Sequence, residues 1–186
     1  MKDISKYQGV IPAFYACYDA AGEISPEAVR ALTRHLVDKG VKGVYVGGSS
    51  GECIYQSVAE RKLVLENVVE AAQGKLTIIA HVACNNTRDS VELARHAEQL
   101  GVDAIASIPP IYFHLPDYAI AKYWNDMSAA APNTAAPCSR VRRGMPVSSR
   151  MFSPILCPER YTVQQPLIEL PLPTSERSPY DRPCPR

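Results

Sequence analysis

One short loop of this sequence combines glycines, hydroxyl side chains and an acid, a set that can hold a small anion. It occupies residues 47–52 (GGSSGE) and follows residues 43–46, an apolar run typical of a buried strand. Glycines let the backbone come close to a ligand, and adjacent hydroxyls with backbone N–H groups can bind a carboxylate or a phosphate. The alternative interpretation is a tight turn whose serines bond only to the backbone, which is common in short Gly/Ser loops.

Alternating strand-like runs and amphipathic helices surround this loop and must position it. Strands are predicted at residues 9–14, 43–46, 77–82 and 104–108. Helices are predicted from Pro26, capped by Ser25, to Gly40; from the capping box of Ser57 and Glu60 to Gly74; and over residues 88–100 and 117–130. The near-continuous apolar strands are typical of a parallel sheet covered on both faces. Periodicity alone leaves a barrel and an open doubly wound sheet as alternatives.

The composition changes sharply after Thr134. Residues 1–134 contain six prolines, five arginines and all seven lysines, whereas residues 135–186 contain ten prolines, eight arginines, one glycine and no lysine. We therefore predict two parts, an α/β domain over 1–134 and a Pro/Arg-rich tail over 135–186. The tail is expected to be disordered, or to reflect a changed reading frame.

Charge and metal-ligand patterns narrow the function classes. The net charge of +1 gives no reason to expect a nucleic acid or a membrane as partner. The six cysteines include no CxxC pair, which predicts free thiols in a reducing cytoplasm. The four histidines lack the spacing of a metal-dependent aldolase, so no metal and no cofactor are expected. These histidines are His35, His81, His96 and His114.

Four motifs in order carry a resemblance to a known family. The first is GGSSGE, directly after the strand-like KGVYV, and it is followed by QSVAER, IIAHVACNNT and IPPIY. It thereby resembles the N-acetylneuraminate lyase / dihydrodipicolinate synthase family over about residues 7–134. The resemblance implies a class I, Schiff-base aldolase on a (β/α)8 TIM barrel, of which this chain has about four βα units. The residues flanking GGSSGE look more like the lyase branch than the synthase branch.

The resemblance also implies roles for particular residues. Ser49 and Ser50, beside Gly48, match the hydroxyls that hold the carboxylate of pyruvate or of a 2-keto acid such as sialic acid. Tyr112 matches a tyrosine of a hydroxyl relay, which in oligomers can lie at a subunit contact. Simple packing of Tyr112 in its loop is an equal alternative. Glu52 is interpreted as an anchor of its own loop rather than as a general acid.

Two residues on which the family's chemistry rests have no counterpart here. Family members carry a tyrosine in a Y-N-I-P-type motif on strand five and a Schiff-base lysine on strand six. After Thr134 the sequence has no Y-N-I-P, and Lys122, the last lysine, lies on the predicted fourth helix. We expect the chain to derive from an N-acetylneuraminate lyase, with dihydrodipicolinate synthase as the close alternative. The chain itself is expected to be a non-catalytic fragment that self-associates through its open sheet edge.

Overall fold

The computed structural model describes residues 5–134, and the predicted tail lies outside these residues. Three strands form one sheet: β1 (Gly43–Val46), β2 (Thr77–His81) and β3 (Ala104–Ala106). Four helices accompany them: α1 (Pro26–Asp38), α2 (Val58–Ala72), α3 (Thr87–Gln99) and α4 (Asp117–Ala130). Two single 3₁₀ turns, Ser5–Tyr7 and Ser49–Gly51, complete the described elements.

The sheet is parallel throughout, in the order β1-β2-β3. The segment of residues 10–14 runs beside β1, where Tyr45 N–H donates to Pro12 C=O and Phe14 N–H donates to Tyr45 C=O, both at 2.9 Å. The prediction of a regular strand over residues 9–14 was nevertheless wrong, since only Ala13 forms a bridge to β1. Pro12 has no N–H to donate, and Gly9 has a φ of +129°, which takes the backbone out of the extended region.

The predicted helix starts are confirmed, because the capping groups make the expected bonds. Ser25 Oγ accepts the Ala28 N–H at 3.2 Å at the start of α1. At the start of α2, Ser57 Oγ accepts the Glu60 N–H at 3.2 Å, while Glu60 accepts the Ser57 N–H at 2.7 Å. These bonds satisfy N–H groups that the first turn of a helix leaves without partners.

Alternate residues of the strands pack on opposite faces of the sheet. Val44, Ile78 and Ile105 belong to the main core, which includes the buried apolar residues of all four helices. On the other face, a smaller cluster contains Ile79, Ala104 and Ala106, with Tyr7, Ile11 and Tyr45 packed against it. The chain therefore repeats an extended segment and a helix four times, with the helices covering one face. No helix in the described part is both long and apolar enough to span a bilayer.

A single carboxylate fastens the chain after α4. Glu98, on α3, accepts the backbone N–H groups of Asn133 at 3.0 Å and of Thr134 at 2.9 Å, and the Asn133 amide at 2.7 Å. It also accepts the Thr134 hydroxyl, and this bond, helped by those from Asn133, holds the pKa of Glu98 below its ordinary value of 4.5. The end of α4 is thus tied to the preceding helix.

Replacing Glu98 is expected to change how stability depends on pH. Because its pKa is lower in the folded state, the unfolded state binds more protons in acid. The contribution of Glu98 to the free energy of unfolding is therefore complete above pH 4.5 and is lost as the pH falls through the folded-state pKa. Urea titrations from neutral pH to about pH 3 should show a smaller acid-induced loss for Glu98→Gln than for the parent chain. Glu70→Gln, at an exposed site on α2, is the control, and an equal loss in the parent and in Glu98→Gln would refute the role of this clamp.

Candidate functional site

The carboxyl ends of the strands lie at one edge of the sheet, because all of the strands are parallel. The loops that follow them share this edge: residues 15–18 after the first segment, 47–52 after β1, 82–86 after β2 and 107–112 after β3. In a parallel β/α fold, loops at these ends form the site where ligands bind. The predicted loop GGSSGE is therefore on the functional side of the fold.

The loop itself is a single 3₁₀ turn that presents two hydroxyls to solvent. Gly51 N–H donates to Gly48 C=O and Glu52 N–H donates to Ser49 C=O, both at 3.0 Å. Ser49 and Ser50 are exposed. Among the hydrogen bonds between described residues, none uses the hydroxyl or the backbone N–H of either serine. These groups can accept or donate toward a ligand without breaking a bond within the loop.

Glycine is required at residue 48 because an aromatic ring lies directly against its backbone. A Cβ at Gly48 would lie 2.6 Å from Cε1 of Tyr45, a separation that real Cβ atoms do not show. Burial raises the pKa of Tyr45 to about 12, so its hydroxyl stays protonated at neutral pH. Gly47 is needed for another reason, since its φ is +72°. The ring of Tyr45 thus lies directly against the backbone of the residue that precedes the two serines.

Two side chains that sequence reasoning did not single out brace this loop. Gln56 Nε2 donates to Gly51 C=O at 3.0 Å and to Tyr18 Oη at 3.3 Å. Tyr18 Oη in turn donates to Glu52 Oε2 at 3.2 Å, and Glu52 has a left-handed φ of +54°. Glu52 therefore contacts another loop of the same rim, which fits its interpretation as an anchor.

A buried arginine and a histidine tie the loop to β2. The guanidinium of Arg61, on α2, donates to His81 C=O at 2.6 Å and to Ala83 C=O at 2.8 Å. Burial, and then the charge of Arg61, lower the pKa of His81 to about 4. His81 is therefore neutral at pH 7, and its Nδ1 lies 2.8 Å from Gly47 C=O. A carbonyl oxygen can only accept, so Nδ1 carries the proton and donates it to the start of the loop.

The other predicted site residue lies apart from this network. Tyr112 is 80% exposed and packs edge to face against Phe113, with ring centroids 4.7 Å apart. No hydrogen bond between described residues joins its hydroxyl to residues 47–52. Lys122 is exposed on α4 and pairs with Asp126 at 2.6 Å, in agreement with its predicted surface role.

A cavity of about 290 Å³ opens beside the loop, between the start of α2 and the loops after β2 and β3. Arg61, His81, Asn85 and Asp89 are among its lining residues, whereas Ser49 and Ser50 are not. Within residues 5–134, no group of three or more His, Cys, Asp or Glu side chains is arranged to hold a metal ion.

Comparisons with known proteins agree with this geometry. The model of the dihydrodipicolinate synthetase family matches residues 6–135. The N-acetylneuraminate lyase of Mediterraneibacter gnavus is 76% identical over 134 residues, which are 72% of this chain and 42% of the relative. A solved structure of a catalytic lysine mutant of the Ruminococcus gnavus sialic acid aldolase is 75% identical with a TM-score of 0.72, and the match covers 73% of this chain and 45% of the aldolase.

A solved structure with lower sequence identity also matches this part of the chain. The structure of the Proteus mirabilis N-acetylneuraminate lyase has a TM-score of 0.66 at 36% identity, over 69% of this chain and 44% of that enzyme. The predicted half-barrel fold is thereby confirmed, and so is the predicted resemblance to the lyase branch. This chain spans less than half the length of the relatives that it matches.

Gly48→Ala tests the contact between the loop and the ring of Tyr45. The added methyl group must displace the ring or the loop, so we expect the free energy of unfolding to fall by about 1–3 kcal/mol. In a Tyr45→Ala background the obstacle is gone, and the same change should cost less than about 0.5 kcal/mol. Urea unfolding of the four chains of this double-mutant cycle provides the measurement. If Gly48→Ala lowered the free energy of unfolding equally in both backgrounds, the ring of Tyr45 would not be the reason that residue 48 must be glycine.

Proposed function

Because this chain belongs to the dihydrodipicolinate synthetase family, we propose that residues 5–134 are the keto-acid-binding half of an N-acetylneuraminate lyase-like aldolase. The lyase is preferred over 4-hydroxy-tetrahydrodipicolinate synthase because the Mediterraneibacter gnavus relative is named for that activity and is 76% identical. The proposed ligand is the carboxylate end of pyruvate or of sialic acid.

One observation carries this proposal: in the loop that follows β1, no hydrogen bond between described residues uses the hydroxyl of either serine. Ser49 and Ser50 are exposed at the carboxyl edge of the sheet, next to Gly48, whose backbone lies against the ring of Tyr45. A carboxylate there accepts from the two hydroxyls and from nearby backbone N–H groups. Bonds to an ionised acceptor are about twice as strong as neutral ones, so this small set suffices to orient a keto acid.

Cleavage of a carbon–carbon bond next to a ketone requires more than orientation. In a Schiff-base aldolase, a lysine amine attacks the keto carbon, and the protonated imine then accepts the electrons of the broken bond. The Ruminococcus gnavus sialic acid aldolase has such a catalytic lysine, which is the residue replaced in its solved mutant. In this chain the last lysine is Lys122, whose ammonium is exposed on α4 and paired with Asp126. We propose that this chain binds a keto acid weakly and does not cleave it.

The remaining assignments rest on the same family. Tyr112 is proposed as a member of a proton relay, or as a contact with another subunit, since its ring is exposed on the rim. A division of the chain near Thr134, into a family domain and a separate tail, is proposed from the change in composition. Self-association is proposed because parallel sheets expose hydrogen-bonding groups at an open edge. A cytoplasmic location stays a prediction from cysteine usage.

Pyruvate binding can be measured by saturation-transfer NMR on the purified chain. We expect a pyruvate signal from the parent. The Ser49→Ala/Ser50→Ala double variant should bind pyruvate with a dissociation constant at least about tenfold larger, because two hydrogen bonds to the carboxylate are lost. Ser107→Ala, which removes a hydroxyl on the same rim, should bind like the parent. Equal binding by the parent and the double variant, or the absence of any pyruvate signal from the parent, would refute the assignment of this loop.

A further inference from the structure

The described sheet is bordered on one side by the extended segment of residues 10–14 and on the other by β3, and no described residue pairs with the outer edge of either. At the first side, Pro12 C=O accepts from Tyr45 and Phe14 N–H donates to Tyr45, so residues 12 and 14 face β1. Consecutive residues of a strand direct their backbone groups to opposite sides. The N–H and C=O groups of Ile11 and Ala13 therefore point away from β1. Ala13 is also exposed.

The other side of the sheet has the complementary pattern. Ala106 C=O accepts the Val82 N–H at 2.8 Å, so residue 106 directs its backbone groups toward β2. By the same alternation, the N–H and C=O of Ile105 point away from β2. In the part of the chain that is described, no strand pairs with this edge of β3. One edge thus offers Ile11 and Ala13, and the other offers Ile105.

We propose that two copies of this chain join edge to edge and close an eight-stranded parallel sheet. Segment 10–14 of each copy pairs with β3 of the other, so that Ile105 N–H donates to Ile11 C=O and Ala13 N–H donates to Ile105 C=O across the contact. The missing N–H of Pro12 does not weaken the contact between the copies, because the backbone groups of Pro12 face β1 rather than the outer edge. Four extended segments from each copy make eight, the number at which side chains just fill the interior of a barrel.

Four features favour a second copy as the occupant. A two-fold contact satisfies both edges of both chains at once, which no single added strand can do. The chain spans 42% of its lyase relative, so a second copy supplies nearly as many βα units as one copy lacks. The inner-face residues Ile79, Ala104 and Ala106 would meet the same apolar face of the partner. With a net charge of +1 per chain, repulsion between copies is weak.

A proline substitution at the open edge tests the contact without disturbing β1. Ala13→Pro removes only an N–H that points outward, whereas Ala13→Val keeps that N–H and favours the same extended backbone. Sedimentation equilibrium of the parent should give a dimer of twice 20.4 kDa that dissociates on dilution. Two bonds are lost per dimer, so the dissociation constant should rise by about a hundredfold for Ala13→Pro and stay nearly constant for Ala13→Val. Circular dichroism melts verify that both variants fold.

A cross-link identifies which edges meet. In the proposed register Ala13 lies beside Ala106 of the other copy, and both side chains are on the inner face. Chains carrying Ala13→Cys and chains carrying Ala106→Cys, mixed and oxidised, should form a disulfide between positions 13 and 106, identified by peptide mapping. Ala20→Cys mixed with Ala106→Cys is the control without a cross-link.

Several outcomes would overturn the proposal. A monomer at all concentrations would mean that another part of the chain covers the edges or that they stay open. Assembly that Ala13→Pro does not weaken would mean that other surfaces associate. A dimer in which positions 13 and 106 never cross-link would mean that its edges pair differently.

Discussion

Parallel pairing between β1 and β2 is the constraint on which the rest of this structure depends. Parallel neighbours cannot be joined by a tight turn, so the chain must cross over through a helix before each new strand. The crossovers bring α1, α2 and α3 to one face and return every strand in the same direction. As a result the loops after the strands lie at one edge, and residues 47–52 come beside the loops after β2 and β3. The direction of the strands alone, whatever their side chains, therefore brings the loops together at one edge of the sheet.

Side-chain contacts then hold that edge in one arrangement. His81 is neutral because it is buried next to a guanidinium, and in that form it donates to the carbonyl of Gly47. Arg61 lies in the first turn of α2 and donates hydrogen bonds to the carbonyl groups of His81, the last residue of β2, and of Ala83 in the loop that follows. The helix that follows the serine loop is thereby fastened to the next strand. The two exposed serines follow this frame, and neither their hydroxyls nor their backbone N–H groups take part in its described hydrogen bonds.

The sequence predicted local structure well where one short signal decides it. The bounds of α4 were correct, and the capping residues Ser25 and Ser57 marked true helix starts. The segment of residues 9–14 was overestimated because apolar character does not reveal that Pro12 interrupts the ladder. The prediction for β3 also ran two residues too far, since the strand ends at Ala106, beside His81, the last residue of β2.

The site was only partly predictable, because the residues that support the loop are far from it in sequence. Ser49, Ser50 and Gly48 stand out because they are adjacent in sequence, whereas the support of the loop comes from distant residues. Tyr18 and Gln56 meet only after the chain has folded. Arg61 did leave a signal, because it occupies the same helical stripe as the buried Val64, Leu65 and Val68. A charged residue in an apolar stripe indicates a buried polar contact, although not its partner.

We propose that this chain retains a binding place for a keto acid but lacks the nucleophile that would act on it. Borohydride reduction in the presence of pyruvate, followed by intact-mass measurement, tests this most directly, because reduction makes any imine with a lysine permanent. The wild-type Ruminococcus gnavus sialic acid aldolase, which retains its catalytic lysine, is the positive control. We predict no increase in mass for this chain and a pyruvate adduct on the control. An adduct on any lysine of this chain would contradict the account.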